Sequence, residues 1–141
     1  MTAESPIDTI RRAAALIRQR AEAATAGTWQ VESDGAGTLW VQTTMAPIAC
    51  AGDEADPSVA ADAEHVASWH PAVALAVAEA FAHQADDMDD YGAVEKPLER
   101  VDGTFTTVVK DESGGYRFDW DATLGAARAY LGVNGSDDAH T

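Results

Sequence analysis

DAEHVASWHPAVALAVAEAFAHQADDM, residues 62–88, is the stretch whose reading decides the fold. Pro71 disfavours helical geometry at the residue before it. The segment therefore predicts a short helix ending near Trp69, a break at His70-Pro71, and a second helix from Pro71 to about Gln84. In the second helix Val73, Ala74, Leu75, Val77, Ala78, Phe81 and Ala82 take up most of the circumference, and Glu79 and His83 form a narrow polar line. A helix that is apolar on nearly every side is buried between layers. The expectation is a buried central helix with Val73, Leu75, Val77 and Phe81 in the core. His70 reads as its N-cap, and Asp62 and Glu64 fall in the first turn of the shorter helix, where the helix dipole favours carboxylates.

Working outward towards the N-terminus, residues 52–63 (GDEADPSVAADA) read as an acidic loop. Before it the apolar period is two: Trp29 and Val31, Leu39 and Val41, Ile48 and Cys50 alternate with polar neighbours and are separated by turn-forming clusters. These predict three antiparallel strands with those six side chains on one face and Trp40 on the other. Trp40 is then either covered by a second layer or a partner contact. A helix is expected from Pro6 to Ala24, capped by Ser5, with Pro6 at its first position and Asp8 three residues after the cap.

Towards the C-terminus, DDMDDYGAVEKP (residues 86–97) is expected to end the central helix and carry its charge into a loop. Strand patterns in LERV and TFTTVVK flank Asp102-Gly103, a dipeptide suited to a two-residue hairpin turn. YRFDW reads as a further strand, and Asp121 as the cap of a last helix stopped by Gly132. Together these predict an α+β fold: an antiparallel sheet of five or six short strands packed around the central helix, with helices at both termini. Residues 1–132 form a single domain in this reading, and 133–141 a flexible polar tail.

The chain has 141 residues, enough for one domain that buries roughly 68% of its unfolded surface. Its 46% hydrophobic content suffices for a core without disulfides or a structural metal. Thirty alanines and an arginine-to-lysine ratio of seven to two point to a GC-rich genome. The dominant global property is charge. Twenty-four acidic side chains against nine basic ones give −15, with +1 in the first 24 residues and −16 in the rest. Such a chain repels nucleic acid and anionic membranes. Its acidity either keeps the protein monodisperse or imitates a phosphate backbone for a basic partner.

Cys50 is the only cysteine, so no intramolecular disulfide forms, and a reducing cytoplasmic location is expected. The N-terminus lacks a signal-peptide core, and no apolar run approaches the length of a membrane span.

No motif selects a reaction. Placing Gly92 at position 6 of a calcium loop puts Asp87 and Asp89 at positions 1 and 3 but Tyr91 and Leu98 at two further ligand positions, so the loop fails. His65, His70 and His83 lack a metal-binding spacing, and Cys50 reads as a small buried strand residue. There are no phosphate- or dinucleotide-binding glycine patterns. The sequence thus assigns no catalytic residues, cofactor or metal. Candidate partner contacts are Trp40, Trp69 and His70, with Asp86, Asp87, Asp89 and Asp90 at the far end of the central helix.

Two blocks resemble a known group. Ala24-Thr25-Ala26-Gly27-Thr28-Trp29 resembles the Ala-Thr-Pro-Gly-Pro-Trp turn of small actinobacterial and actinophage proteins, with Ala26 and Thr28 standing where the prolines would be. Asp62 to Ala78 resembles their DAEHIA…P…ALAVA helix pair. Both are similar to segments of phage accessory proteins of the Ea22-like kind. The resemblance implies a phage, prophage or actinobacterial accessory context and carries no site residues. The leading expectation is a non-enzymatic protein that binds and modulates, or inhibits, a bacterial protein; an acidic DNA mimic directed at a basic nucleic-acid-binding protein is one form of it. The alternatives are a homo-oligomeric scaffold domain, with homodimers through Trp40 and the N-terminal helix, and a small hydrolase or nucleotide-handling enzyme using His70 with an acid.

Overall fold

A computed structural model describes residues 4–132; the predicted tail, 133–141, lies outside the described residues. The order of elements is α1 (Pro6–Ala23), β1 (Gln30–Ser33), β2 (Thr38–Gln42), β3 (Pro47–Asp53), α2 (Pro57–Ser68), α3 (Pro71–Asp90), β4 (Val94–Glu99), β5 (Phe105–Lys110) and α4 (Phe118–Leu131). The α+β class holds, with helices at both ends. The strands do not join into one sheet of five or six: β1-β2-β3 form one antiparallel sheet and β4-β5 a separate hairpin. The chain divides into two compact units, an inner one (Ile17–Val77) and a terminal one (residues 4–16 with 78–132), the divisions falling inside α1 and α3.

In the inner unit, α2 lies across the three-stranded sheet. Their shared core holds Val41, Ala63 and Ala67, with Trp29, Val31, Ile48 and Ala51 packed against it. Cys50 does not join them. Register shifts between β2 and β3 bring Cys50 opposite Trp40, and Cys50 is exposed. An irregularity that adds one residue moves the following side chains to the other face, so Ile48 and Ala51, three apart, both reach the core. The segment expected to be an acidic loop is mostly structured. β3 runs on to Asp53, and α2 starts at Pro57 with Asp56 as its cap, the carboxylate accepting the Ser58 N–H at 2.9 Å. Pro57 supplies a helical φ and lacks only a donor that the first turn does not use. Asp62 and Glu64 therefore sit mid-helix rather than in the first turn.

The terminal unit is built on Trp120, which is fully buried among Ile10, Ala13, Ala85, Met88, Val109 and Leu124. Truncating a buried Trp typically costs about 3–5 kcal/mol. α3 runs six residues beyond Gln84, through the acidic run, because Ala85 and Met88 are 0% exposed and extend its buried stripe past Ala78. Nor is the helix buried all round: Val73 is exposed and Leu75, Val77 and Phe81 are half-buried. Alanine accounts for the misreading, since it has the highest helix propensity and sits equally well on an exposed helical face.

YRFDW is not a strand. Tyr116 forms an isolated bridge with Lys110, α4 begins at Phe118, and Arg117 rather than Asp121 occupies the cap position. Asp121 lies inside the helix, where its carboxylate accepts the Val109 N–H at 2.9 Å. Gly132 closes α4 in the left-handed conformation.

The β4-β5 turn is one residue longer than expected. Arg100 N–H donates to the Thr104 carbonyl and Gly103 N–H to the Arg100 carbonyl, leaving Val101-Asp102-Gly103 as a three-residue loop. Gly103 adopts a φ of +89°, which only glycine takes without strain. Glu99 therefore faces Phe105 and Leu98 faces Thr106.

Carboxylates hold the turns. Asp34, Asp53, Asp56, Asp102 and Asp111 each accept the N–H of the residue two places on. The Ser113 hydroxyl, with the Gly115 and Ser113 amides, holds Asp111 below the usual carboxylate range. The Thr104 hydroxyl and amide do the same for Asp102, and the Ala36 and Thr38 amides for Asp34. A carboxylate depressed in the folded state adds stability above its unfolded pKa and loses it as pH falls through the folded value. Between about pH 5 and pH 2 the protein should therefore lose stability, and Asp111→Asn should flatten that loss. Urea denaturation across this window measures both slopes; equal slopes in parent and variant would contradict the assignment.

Candidate functional site

The candidate site is a groove of about 370 Å³ in the inner unit. One wall is the start of β1: Thr28, Trp29, Gln30 and Val31. The other is the C-terminal half of α2 and the residue before α3: Glu64, Ala67, Ser68 and His70. Trp29 is placed by its own turn, because its indole N–H donates to the Thr25 carbonyl at 3.0 Å and folds the ring back over the end of the loop. The Ser68 hydroxyl donates to the His65 carbonyl at 2.7 Å. His70 caps α3 with its main chain, its carbonyl accepting from Val73 and Ala74. Its ring nitrogen Nδ1 is out of reach of solvent and has no hydrogen-bond partner among the described residues.

Two stretches far apart in sequence meet here. Thr28 and Trp29 come from the first, and Glu64, Ala67, Ser68 and His70 from the second. Nothing in the spacing of residues 24–29 and 62–70 announced that they share a groove; pairing of β1 with the sheet under α2 brings them together.

The electrostatics of this unit are one-sided. No Lys or Arg occurs between Arg20 and Lys96, while eight Asp and Glu lie between Ala21 and Val77. The ion pairs of Arg11, Arg12, Arg117 and Arg128 all lie in the terminal unit. Glu64 has no hydrogen-bond or ion-pair partner among the described residues.

The structure distributes the other candidate contacts differently. Trp69 is 40% exposed and ends α2, next in sequence to the groove but not in its wall. Trp40 is half-buried on the sheet face opposite Val41, paired with Glu32 and Cys50 across the ladder. Asp86, Asp87 and Asp89 are engaged within the terminal unit. Arg11 lies 3.0 Å from Asp86 and 3.6 Å from Asp89. Asp87 accepts the Trp120 indole N–H at 3.3 Å and lies 3.6 Å from Arg117. The Arg117 guanidinium in turn stacks over the Trp120 ring at 4.5 Å. These three carboxylates thus act as partners of the fold's own cations, and Asp90 is exposed on the same turn. Residues that sequence reasoning missed are Trp29, taken only as core, and Glu64, taken only as a dipole partner.

Among the described residues no group of three His, Cys, Asp or Glu side chains is placed to hold a metal ion, and no carboxylate bonds to His70. No helix among them is long and apolar enough to cross a membrane. Comparison with protein-family models, with curated proteins and with solved structures gave no match.

An unpartnered polar atom in the interior costs about 1–3 kcal/mol. His70→Leu, similar in volume and free of polar atoms, should therefore leave stability unchanged or raise it by about 1 kcal/mol. Urea denaturation measures this, and a loss above about 2 kcal/mol would mean that Nδ1 has a structural partner.

Proposed function

We propose that this is a non-enzymatic accessory protein, of phage or prophage type, that binds and modulates a bacterial host protein through the acidic surface of its inner unit. The partner class is a basic nucleic-acid-handling protein, and the carboxylates take the place of the phosphates of the nucleic acid it binds. The observation that carries the reading is the run from Ala21 to Glu95 without a Lys or Arg, so that the inner unit, which holds the groove of Trp29 and His70, has eight carboxylates against Arg18 and Arg20 alone. Opposite charge steers association and sets its salt dependence. The phage-type context rests on the resemblance of residues 24–29 and 62–78.

The test is capture from an actinobacterial lysate on the immobilised protein at two salt concentrations. A basic nucleic-acid-binding protein should be retained at about 50 mM salt, released by about 500 mM, where screening reaches a few ångströms, and displaced by duplex DNA. Retention that ignores both salt and DNA would reject mimicry while leaving a binding role; retention of no basic protein would reject the reading.

A homo-oligomeric scaffold is a second reading. The exposure of Val101 (109%) and Phe105 (66%) at the outer end of the β4-β5 hairpin favours it. Light scattering at about 50 μM, a concentration at which weak dimers form, decides the matter: a dimer supports the scaffold and a monomer removes it.

A further inference from the structure

The open edge of β1 distinguishes it from the other strand edges. β1 pairs with β2 on one side and with no strand on the other among the described residues. The Asp34 N–H donates to the Thr38 carbonyl at 3.0 Å, closing the β1-β2 turn as a hydrogen-bonded pair. Alternation along an antiparallel ladder then makes Glu32–Trp40 and Gln30–Gln42 hydrogen-bonded pairs. The N–H and C=O groups of Val31 and Ser33 are consequently turned outward. An open edge of this kind is a template for another strand.

The other edges each carry an interruption. By the same alternation Pro97 faces the open edge of β4, where it offers no donor, and Lys96 stands beside it. β3 begins at Pro47 and carries register shifts that interrupt a regular ladder. The outer side of β5 is bridged at Lys110 by Tyr116. β1, Gln-Val-Glu-Ser, has neither proline nor lysine.

The groove lies along this edge. Val31 contributes to it from the strand, and Glu64, Ala67 and Ser68 from α2 above. A strand added beside β1 would send every second side chain to the face on which Val31 meets the core, towards α2. There it meets Ala67 as apolar surface and Glu64 as a carboxylate with no cation in the inner unit beyond Arg18 and Arg20 to compete for it.

We propose that β1 and the Trp29–His70 groove take an extended basic peptide segment of a partner protein by strand addition. The main-chain groups of Val31 and Ser33 form the ladder, and Glu64 receives a Lys or Arg of the peptide. This rests on the acidic-surface reading above and adds to it a place and a mode of recognition.

The probe is a fluorescein-labelled nine-residue peptide of alternating Lys and Val, titrated by fluorescence anisotropy. Two control peptides accompany it: one with Glu for every Lys, and one N-methylated on alternate residues so that charge and side chains stay but the ladder donors go. Strand addition predicts that the Lys–Val peptide binds. N-methylation should weaken it at least about tenfold through the loss of several hydrogen bonds. Glu64→Lys, an exposed helical change, should weaken it by about tenfold, and the Glu–Val peptide should not bind. Hydrogen exchange followed by NMR should show the Val31 amide slowed on binding. Equal binding of the N-methylated peptide with salt sensitivity would overturn strand addition and leave the acidic surface as a diffuse electrostatic binder. Unchanged exchange at Val31, binding of the Glu–Val peptide, or no binding of any peptide would overturn it as well. The broader reading is then decided separately by the lysate experiment.

Discussion

The hydrogen bond from a backbone N–H to an aspartate carboxylate is the interaction on which this structure depends. Nine cations cannot neutralise twenty-four carboxylates, and a carboxylate that accepts amide protons near its own position in the chain is stabilised without one. Asp34, Asp53, Asp56, Asp102 and Asp111 each close a turn or open a helix in this way. Asp121 reaches further and satisfies the Val109 amide in the terminal unit. The chain thus converts an excess of negative charge into turn geometry. Two of the seven arginines lie where a carboxylate sits beside a core: Arg117 beside Asp87 and Trp120, and Arg128 beside Glu95.

Each unit solves the problem of building a core from an alanine-rich chain in its own way. The terminal unit fills its centre with one large side chain, Trp120, ringed by smaller ones from four elements. The inner unit uses Val41 under the alanines of α2, with Trp29 and Ile48 at the margins. In both, small residues on a helix permit close approach to what lies beneath, and the bulk comes from the facing element. Such packing suits α2 at Ala63 and Ala67 and α3 at Ala85, whereas Met88 supplies bulk of its own.

The local chemistry of helix ends and strand alternation was legible from residues alone. Ser5 accepts the Asp8 N–H as its spacing indicates, Pro71 opens α3, Gly132 ends α4, and β1 to β3 lie where the period of two placed them. What escaped depended on partners distant in sequence. Continuation of α3 through four aspartates looks unfavourable locally. It is stabilised by Arg11, 75 residues away from Asp86, and by burial of Met88. Asp121 resembles a cap because Asp is common there, yet its partner is an amide on a neighbouring strand. Cys50 alternates correctly with Ile48 until a bulge, which has no sequence signature here, turns it outward. The candidate site was half visible: His70 stood out beside a proline break, but Trp29 and Glu64 became site residues only when the sheet brought β1 under α2.

An open β-edge with no proline or lysine is ordinarily a hazard, since identical chains can pair along it. In this protein the charge that surrounds β1 answers that hazard. A second copy brings the same Gln-Val-Glu-Ser edge, the same lack of Lys and Arg from Ala21 to Glu95, and a net charge of −15. Like charges brought together at an edge oppose pairing. A strand carrying lysine or arginine meets attraction from the same groups. In the strand-addition proposal, net charge would act at this edge as a selector: it would oppose pairing of β1 with its own kind without a blocking residue, and leave the main-chain donors and acceptors of Val31 and Ser33 to a strand of opposite sign. Proline does the blocking on β4, where Lys96 and Lys110 weaken that selection. The placement of Pro97 there, and of none in β1, follows from the same physics.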